Sequence, residues 1–272
     1  MPNSFFEPIT KIKECRHGRM MYLRTDKYVG TSLDHYGEYC ESEAEVFAQL
    51  LTPGQTVVEV GANIGAHTVN LSRLVGPAGR VYAFEPQRVI FQLLCANVAL
   101  NEAFNVHTYH AGSGATTGTM KLPDIDYGHS GSNFGGVSLL DQTQGDNVQI
   151  IPLDSISLPS LRLLKIDVEG MEDVVLEGAR EQIFRHRPVI YVENDRRERS
   201  QKLISMIAGF GYDLWWHFAP LFNPDNYEQV PEDVFGNVVS VNLLCVPKEH
   251  HSSITGFRKV ANPAEWWENF DG

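Results

Sequence analysis

Lys165 and Asp167 alternate with apolar residues in the string Leu163-Leu164-Lys165-Ile166-Asp167-Val168-Glu169-Gly170-Met171-Glu172. A spacing of two puts both side chains on one face of a strand. An ammonium beside a carboxylate is either a buried ion pair or part of a working site. In a site, the carboxylate takes or orients a proton, and the ammonium holds it or faces developing negative charge. Glu172 and Asp173 follow at the mouth of a helix, where the positive end of the dipole favours acids whatever their use. Tyr191-Val192-Glu193-Asn194-Asp195 ends another apolar run, and neighbouring strands would bring Glu193 beside Asp167. Adjacent carboxylates raise each other's pKa or hold a divalent cation, here through Asp167, Glu193 and Asn194. Pairing of Glu193 with Lys165 is the plain structural alternative. A cation is not favoured, and no residue is assigned as a metal ligand.

A second constellation precedes the first. Val58-Glu59-Val60-Gly61-Ala62-Asn63-Ile64-Gly65 is an apolar run entering a glycine turn that opens a helix. Ligands of α/β sheets bind beyond the carboxyl ends of such strands. Gly61 is expected to let the backbone approach a ligand, and Gly65 to let the helix pack against the strand. The string departs from the dinucleotide pattern at Asn63 and Ala66, which leaves less room for a pyrophosphate. Glu59 is unfavourable beside a pyrophosphate and favourable beside an ammonium, which points from NAD toward S-adenosylmethionine. Glu85, in Phe84-Glu85-Pro86, lies 24 residues after Gly61. That spacing suits a carboxylate accepting from both ribose hydroxyls. Gly112 and Ser113, after the third strand, suit the adenine side.

The elements that must position these residues alternate regularly. Short apolar strands are expected at 56–60, 80–84, 105–110, 161–166, 188–193, 212–218 and 238–246. Helices are expected at 41–51, 64–75, 88–100, 169–185 and 196–209. This βαβ rhythm implies a mostly parallel sheet with helices on both faces. The last two strands have no helix between them and are expected to pair antiparallel at one edge. Residues 111–150, rich in Gly, Ser, Thr and Asn, read as a hairpin and a long loop. Tyr22-Leu23 and Tyr28-Val29 suggest short strands in a mixed lead-in over 1–55, and Ser42 is the expected cap of the first helix. Residues 249–272 read as a tail with Trp266 and Trp267 docking back.

Composition narrows the classes. The chain has 272 residues, 43% hydrophobic, with 22 basic and 34 acidic side chains for a net charge of −12. A core of useful size is expected, and broad electrostatic binding to nucleic acid or an anionic membrane is disfavoured. Cys15, Cys40, Cys95 and Cys245 form no close pair, which fits reduced thiols. The start lacks a secretory pattern and no run is long enough to span a membrane, so a soluble cytoplasmic protein is expected.

These strings together resemble the FkbM-type S-adenosylmethionine-dependent methyltransferases. The resemblance covers roughly residues 50–247. Three stretches carry it: Val58 to Gly65, Phe84-Glu85-Pro86, and Lys165 to Glu172 continuing into Leu176-Glu177-Gly178-Ala179. Ser132-Asn133-Phe134-Gly135-Gly136 adds to it. It implies a Rossmann-like class I methyltransferase fold, a seven-stranded sheet of order 3-2-1-4-5-7-6. It also implies O-methylation of a sugar, glycan or natural-product hydroxyl. The expected organisation is an N-terminal extension or lid over 1–50, a methyltransferase domain over 51–248 and a tail.

The resulting assignment has Asp167, Lys165, Glu169 and Glu193 on the catalytic side. Glu59, Gly61, Asn63, Gly65, Glu85, Gly112 and Ser113 hold S-adenosylmethionine. Asp167 is the expected base or acceptor-orienting group. His67, His107, His110 and His129 are rivals near the expected cleft, and a lone histidine is more often structural. His250-His251 reads as a solvated tail. Acceptor walls are expected from 1–50, 112–150 and 218–236, with Phe218, Phe222, Tyr227 and Phe235 either stacking on a sugar or packing at the sheet edge. The partner is a small-molecule or glycan acceptor rather than nucleic acid, and no sequence feature sets the oligomeric state. Two other readings share the sheet: an S-adenosylmethionine-binding protein without catalysis, and a nicotinamide oxidoreductase.

Overall fold

β-Branched and aliphatic residues dominate the central strands, as a sheet covered on both faces requires. The computed structural model describes residues 8–140, 142–250 and 254–267. Readings that rest on residues 1–7, His251 and 268–272 lie outside them. The lead-in holds a hairpin, β1 (Thr10–Cys15) and β2 (Gly18–Leu23), then α1 (Val29–Tyr36) and α2 (Glu41–Leu50). The alternating body runs β3 (Thr56–Val60), α3 (Ala66–Val75), β4 (Arg80–Phe84), α4 (Arg88–Leu100) and β5 (Val106–Tyr109). A side sheet follows, of β6 (Gly112–Ser113), β7 (Gly118–Leu122) and β8 (Asp146–Ile151). The body resumes with β9 (Leu163–Ile166), α5 (Glu172–Glu177), α6 (Arg180–His186), β10 (Val189–Glu193) and α7 (Arg197–Gly209). It closes with β11 (Tyr212–Pro220), β12 (Val239–Pro247) and β13 (Arg258–Lys259).

The main sheet has the order β13-β11-β12-β10-β9-β3-β4-β5. Its seven long-range strands follow the expected order 3-2-1-4-5-7-6, and β13 adds an eighth at the edge. β3, β4, β5, β9 and β10 run parallel, whereas β12 pairs antiparallel with β10 and β11. Alternation splits each strand between two cores. Val58, Val60, Leu164, Ile166, Ile190 and Val192 join one core with α5–α7 residues such as Leu176, Ile183 and Leu203. Val57, Leu163, Val189 and Tyr191 join the other with Phe47, Leu71 and Val75 from α2 and α3. Glu59, Lys165 and Glu193 continue this second face, so its apolar layer ends in ionisable groups at the carboxyl ends of the strands.

Several local expectations are corrected. Val29 begins α1, so Tyr28-Val29 is not a strand. Ser42 does not cap α2: Cys40 holds the cap position in a left-handed conformation, and the buried Ser42 hydroxyl has no hydrogen-bond partner among the described residues. The helix expected at 169–185 is two helices. The Gly178 carbonyl accepts from the Asp154 backbone N–H at 2.8 Å. The Asp154 carboxylate accepts from Glu181 and Gln182 N–H at 3.1 and 3.0 Å, so α6 starts afresh on that cap. β7 and β8 form the expected hairpin, and β6 joins β8 in parallel. Trp266 does dock, edge-on to Trp216 in the first core.

Candidate active site

The glycine turn after β3 and the Lys165–Asp167 string meet at Gly61. Its φ is +83°, and a Cβ there would stand 1.7 Å from the Asp167 carbonyl oxygen. Only glycine fits such an approach. The Asp167 N–H donates to the Val60 carbonyl at 3.0 Å, which locks the two strand ends side by side. Gly61 therefore serves the junction of β3 and β9 first. Gly65 is corrected in a similar way: its missing Cβ makes room for Leu94 of α4, at 2.7 Å, rather than for the strand.

A cavity of about 480 Å³ opens over this junction. Asp167, Lys165, Glu169, Glu193, Glu59, Gly61, Asn63, Glu85, Gly112 and Ser113 all line it. Gly65 is the one assigned residue that does not. The cavity is polar at both ends and differs in charge along its length.

At one end, Glu85 is buried and accepts two backbone N–H groups, from Asn63 at 3.0 Å and Gln87 at 2.8 Å. Burial pushes its carboxyl up to about 7, since these two bonds only partly offset the loss of water. Asn63 holds a positive φ, and its side chain accepts from Ile64 N–H at 2.7 Å. The Ser113 hydroxyl is buried and has no hydrogen-bond partner among the described residues. A buried acid with spare lone pairs and an orphaned hydroxyl fit a polar, hydroxylated ligand such as a nucleoside.

In the middle, Lys165 is almost wholly buried. Its Nζ lies 3.3 Å from Asp167 Oδ2 and 4.0 Å from Glu59 Oε1. Burial opposes its charge, but Asp167, Glu59 and Glu43 outweigh burial and raise its pKa. Glu59 accepts from the Thr68 hydroxyl at 2.6 Å, and burial raises its pKa even so. The Asp167 side chain stays 39% exposed, the most open of this group.

At the far end, Asp167, Glu169 and Glu193 bring carboxylate oxygens within 4.8 Å of one another. Asn194 is not among these carboxylates: its amide donates to the Ser200 hydroxyl at 2.9 Å. Glu169 adopts a positive φ and is paired with Arg196, which also lies 3.3 Å from Asp195. Burial and the neighbouring Asp167 push Glu169 up to about 7 and Glu193 well above the usual carboxylate range. Lys165 and Arg196 already answer two of the three carboxylates. Glu193 Oε2 has no hydrogen-bond partner among the described residues, and Glu193 makes no ion pair with Lys165 within 4.0 Å. Glu172 accepts from Gly170 and Val168 N–H, and Asp173 pairs with Arg199 and Lys202, so both are structural.

Of the four histidines weighed as rival bases, only His67 lines the cavity. His107 stacks on Tyr82 and His110 on Phe91, while His129 lies in the exposed loop. The aromatic wall expected from 218–236 is also absent from the lining. Phe222 and Phe235 pack on Tyr36, and Phe218 stacks on Trp216. Residues not assigned to the site from the sequence take their place, some of them in the lead-in where a wall was expected. Tyr28 and Tyr39 line the cavity from the lead-in, Gln87 from the start of α4, and Val238, Val239 and Ser240 from β12 and its approach. Gln87 donates to the Phe134 carbonyl at 2.6 Å, which seats Asn133, Gly135 and Gly136 at the rim.

Residues 59–214, more than half of the chain, match the Methyltransferase FkbM domain. The chain belongs to the FkbM methyltransferase family. Its fold is that of the class I methyltransferases. The methyltransferase sdnD of Sordaria araneosa is 28% identical over an alignment of 158 residues, and the match covers 46% of this chain and 61% of that protein. The chain thus matches less than two thirds of that relative's length. Among solved structures, an FkbM methyltransferase from Methylobacillus flagellatus KT shares 18% identity at a TM-score of 0.43. The match covers 75% of this chain and 50% of the other. The M. jannaschii TYW2 structure in complex with AdoMet shares 13% identity at a TM-score of 0.48, covering 94% and 89% of the two chains. No described helix is long and apolar enough to cross a membrane.

Proposed function

We propose that this protein transfers a methyl group from S-adenosylmethionine to a hydroxyl of a sugar, glycan or natural-product acceptor. The observation that carries this reading is the Gly61–Asp167 contact. Around it, a buried acid, Glu85, and a solvent-open acid beside a buried lysine line one cavity, which supports the reading. When bound, the cofactor supplies an electrophilic methyl group on a sulfonium.

The chain's own residues supply position and charge. Glu85 accepts from the ribose hydroxyls, and Gly112 and Ser113 form the adenine side. Glu59, Gly61 and Asn63 border the amino-acid end. Asp167 accepts a hydrogen bond from a polar group of the acceptor next to the reacting hydroxyl and so aims the reacting oxygen. Lys165 holds Asp167 in place, and Glu169 and Glu193 complete an acidic acceptor end. Such positioning is worth about 7–11 kcal/mol in favourable cases. Residues 8–50 form a wall of the acceptor side through Tyr28 and Tyr39.

The test is calorimetric titration with S-adenosylhomocysteine, with NAD⁺ as control, followed by a screen of sugars and natural-product alcohols for S-adenosylhomocysteine release. Micromolar binding of S-adenosylhomocysteine alone and turnover of a hydroxyl acceptor are expected. Binding of NAD⁺ instead, or methylation confined to nitrogen or carbon acceptors, refutes the reading.

A further inference from the structure

His67 and Glu43 form a carboxylate–imidazole pair at the cavity wall, and Glu43 lies outside the matched residues 59–214. Glu43 sits on α2 and is buried. Its Oε1 accepts from the Asn242 amide at 3.0 Å and from the Cys40 thiol at 3.4 Å. Its Oε2 stands 3.3 Å from His67 Nε2 in an ion-pair contact, and that nitrogen has no hydrogen-bond partner among the described residues. Burial opposes the charge on Glu43, but His67, Lys165 and Cys40 outweigh it and hold the carboxyl down at about 2. A carboxylate that stays ionised places the imidazole proton on Nε2, which leaves the Nδ1 lone pair as the basic site. The ring is steered by Phe47, edge-on at 5.4 Å, and by Tyr39 at 5.6 Å.

We propose that His67, oriented by Glu43, is the proton acceptor for the hydroxyl that Asp167 orients. This rests on the methyl-transfer reading above. An ordinary aspartate, near 3.9, is a weak base at neutral pH, whereas an imidazole near 6.5 is matched to the task. The balance is complete: the acceptor oxygen forms a bond to the methyl carbon, the carbon–sulfur bond breaks, and sulfur keeps its electron pair as a neutral thioether. The hydroxyl proton moves to Nδ1, and the imidazolium later loses it to solvent. The groups around His67 are Glu43 from α2, Glu59 from β3 and Tyr39 from the α1–α2 turn, and Lys165 from β9 acts on both carboxylates. Glu43 is a positioning residue, because it acts only through the ring.

The experiment uses the full chain with S-adenosylhomocysteine bound and ¹⁵N-labelled histidine. Nitrogen shifts should show the proton on Nε2, and Glu43→Gln should lower the His67 midpoint while Glu43→Asp restores it. With the acceptor from the screen, His67→Gln should cut kcat about 10²–10⁴-fold. It should abolish the acidic inflection of the rate profile and leave S-adenosylhomocysteine affinity within threefold. Imidazole should rescue His67→Gly. A proton on Nδ1, a midpoint that Glu43→Gln leaves unmoved, or a His67→Gln enzyme within twofold of wild type overturns the inference. If the protein binds S-adenosylhomocysteine but methylates no hydroxyl, the function reading fails, and the nitrogen titration still decides the pair.

Discussion

Replacing Gly61 by alanine tests the junction on which the site rests. The added Cβ would lie 1.7 Å from the Asp167 carbonyl oxygen, whereas real Cβ contacts stay above 3.0 Å. The two strand ends must then part by about 1.3 Å. That stretches the Asp167–Val60 hydrogen bond, now 3.0 Å, beyond useful length. Losing a buried hydrogen bond costs about 1–3 kcal/mol, and alanine at a left-handed φ costs about 1–2 kcal/mol. Together they predict roughly 2–5 kcal/mol. Gly54→Ala is the internal control: its φ is +89°, yet nothing lies within 4 Å of the Cβ it would gain. It should cost only the backbone part, about 1–2 kcal/mol. Urea unfolding of both variants gives the difference, and near 3 kcal/mol for Gly61→Ala the melting point should fall about 6–12 °C. S-adenosylhomocysteine binding should vanish in Gly61→Ala and persist in Gly54→Ala. Equal destabilisation of the two variants, within about 0.5 kcal/mol, refutes the argument that the close approach matters.

Other outcomes follow from the same geometry. Glu85 has its folded pKa raised from 4.5 to about 7, so its neutral form stabilises the free protein. That contribution is present below about 4.5 and is lost as pH rises through about 7, and Glu85→Gln should flatten unfolding free energy across this window. Ribose hydroxyls favour the ionised form, so S-adenosylhomocysteine should bind more tightly as pH rises through 7, with proton release seen by calorimetry in buffers of different ionisation enthalpy. Asp167→Asn should lower kcat at least tenfold while leaving S-adenosylhomocysteine affinity within threefold; undiminished turnover would remove Asp167 from the site. Lys165→Met leaves Glu59 buried without its cation and should cost about 3–5 kcal/mol in urea unfolding. Excess chelator should leave turnover unchanged, because Lys165 and Arg196 already serve two of the three carboxylates; loss of activity restored by magnesium would show a cation at Asp167, Glu169 and Glu193.

Much of this site was legible from local patterns, and the reasons are physical. Period-two alternation in the strings ending at Val60, Ile166 and Glu193 puts Glu59, Lys165 and Glu193 on one face, and the strand order then makes them neighbours. The register pairs Glu59 directly with Lys165, and Lys165 with Tyr191. Such facts need only strand spacing and sheet order. Tyr39, Glu43 and Asn242 were not legible, because their roles arise from contacts across as many as 199 positions of chain. Glu43 in particular reads as an ordinary helix-start acid. Gly61 and Gly65 were rightly marked as special, but what fills the space beside each is set by tertiary packing. The break at Gly178 depends on Asp154, a residue with no helical signal of its own. The aromatic cluster near 222–235 reads equally as a sugar platform or as edge packing, because apolar rings carry no label for whether they face a ligand or Tyr36.

The lead-in and the long loop are stitched to each other before either meets the cavity. Lys27 N–H donates to the Ser132 carbonyl at 2.9 Å, Gly131 N–H to the Thr25 carbonyl at 2.9 Å, and the Thr25 hydroxyl to the Tyr127 carbonyl at 2.8 Å. Tyr127 in turn packs on Phe134, whose carbonyl is tied to Gln87. Anyone building chimaeras to retarget the enzyme would therefore find residues 8–50 and 123–140 to be one inheritance unit. A graft of the first alone would bring in a wall whose matching hem stays behind with the old parent.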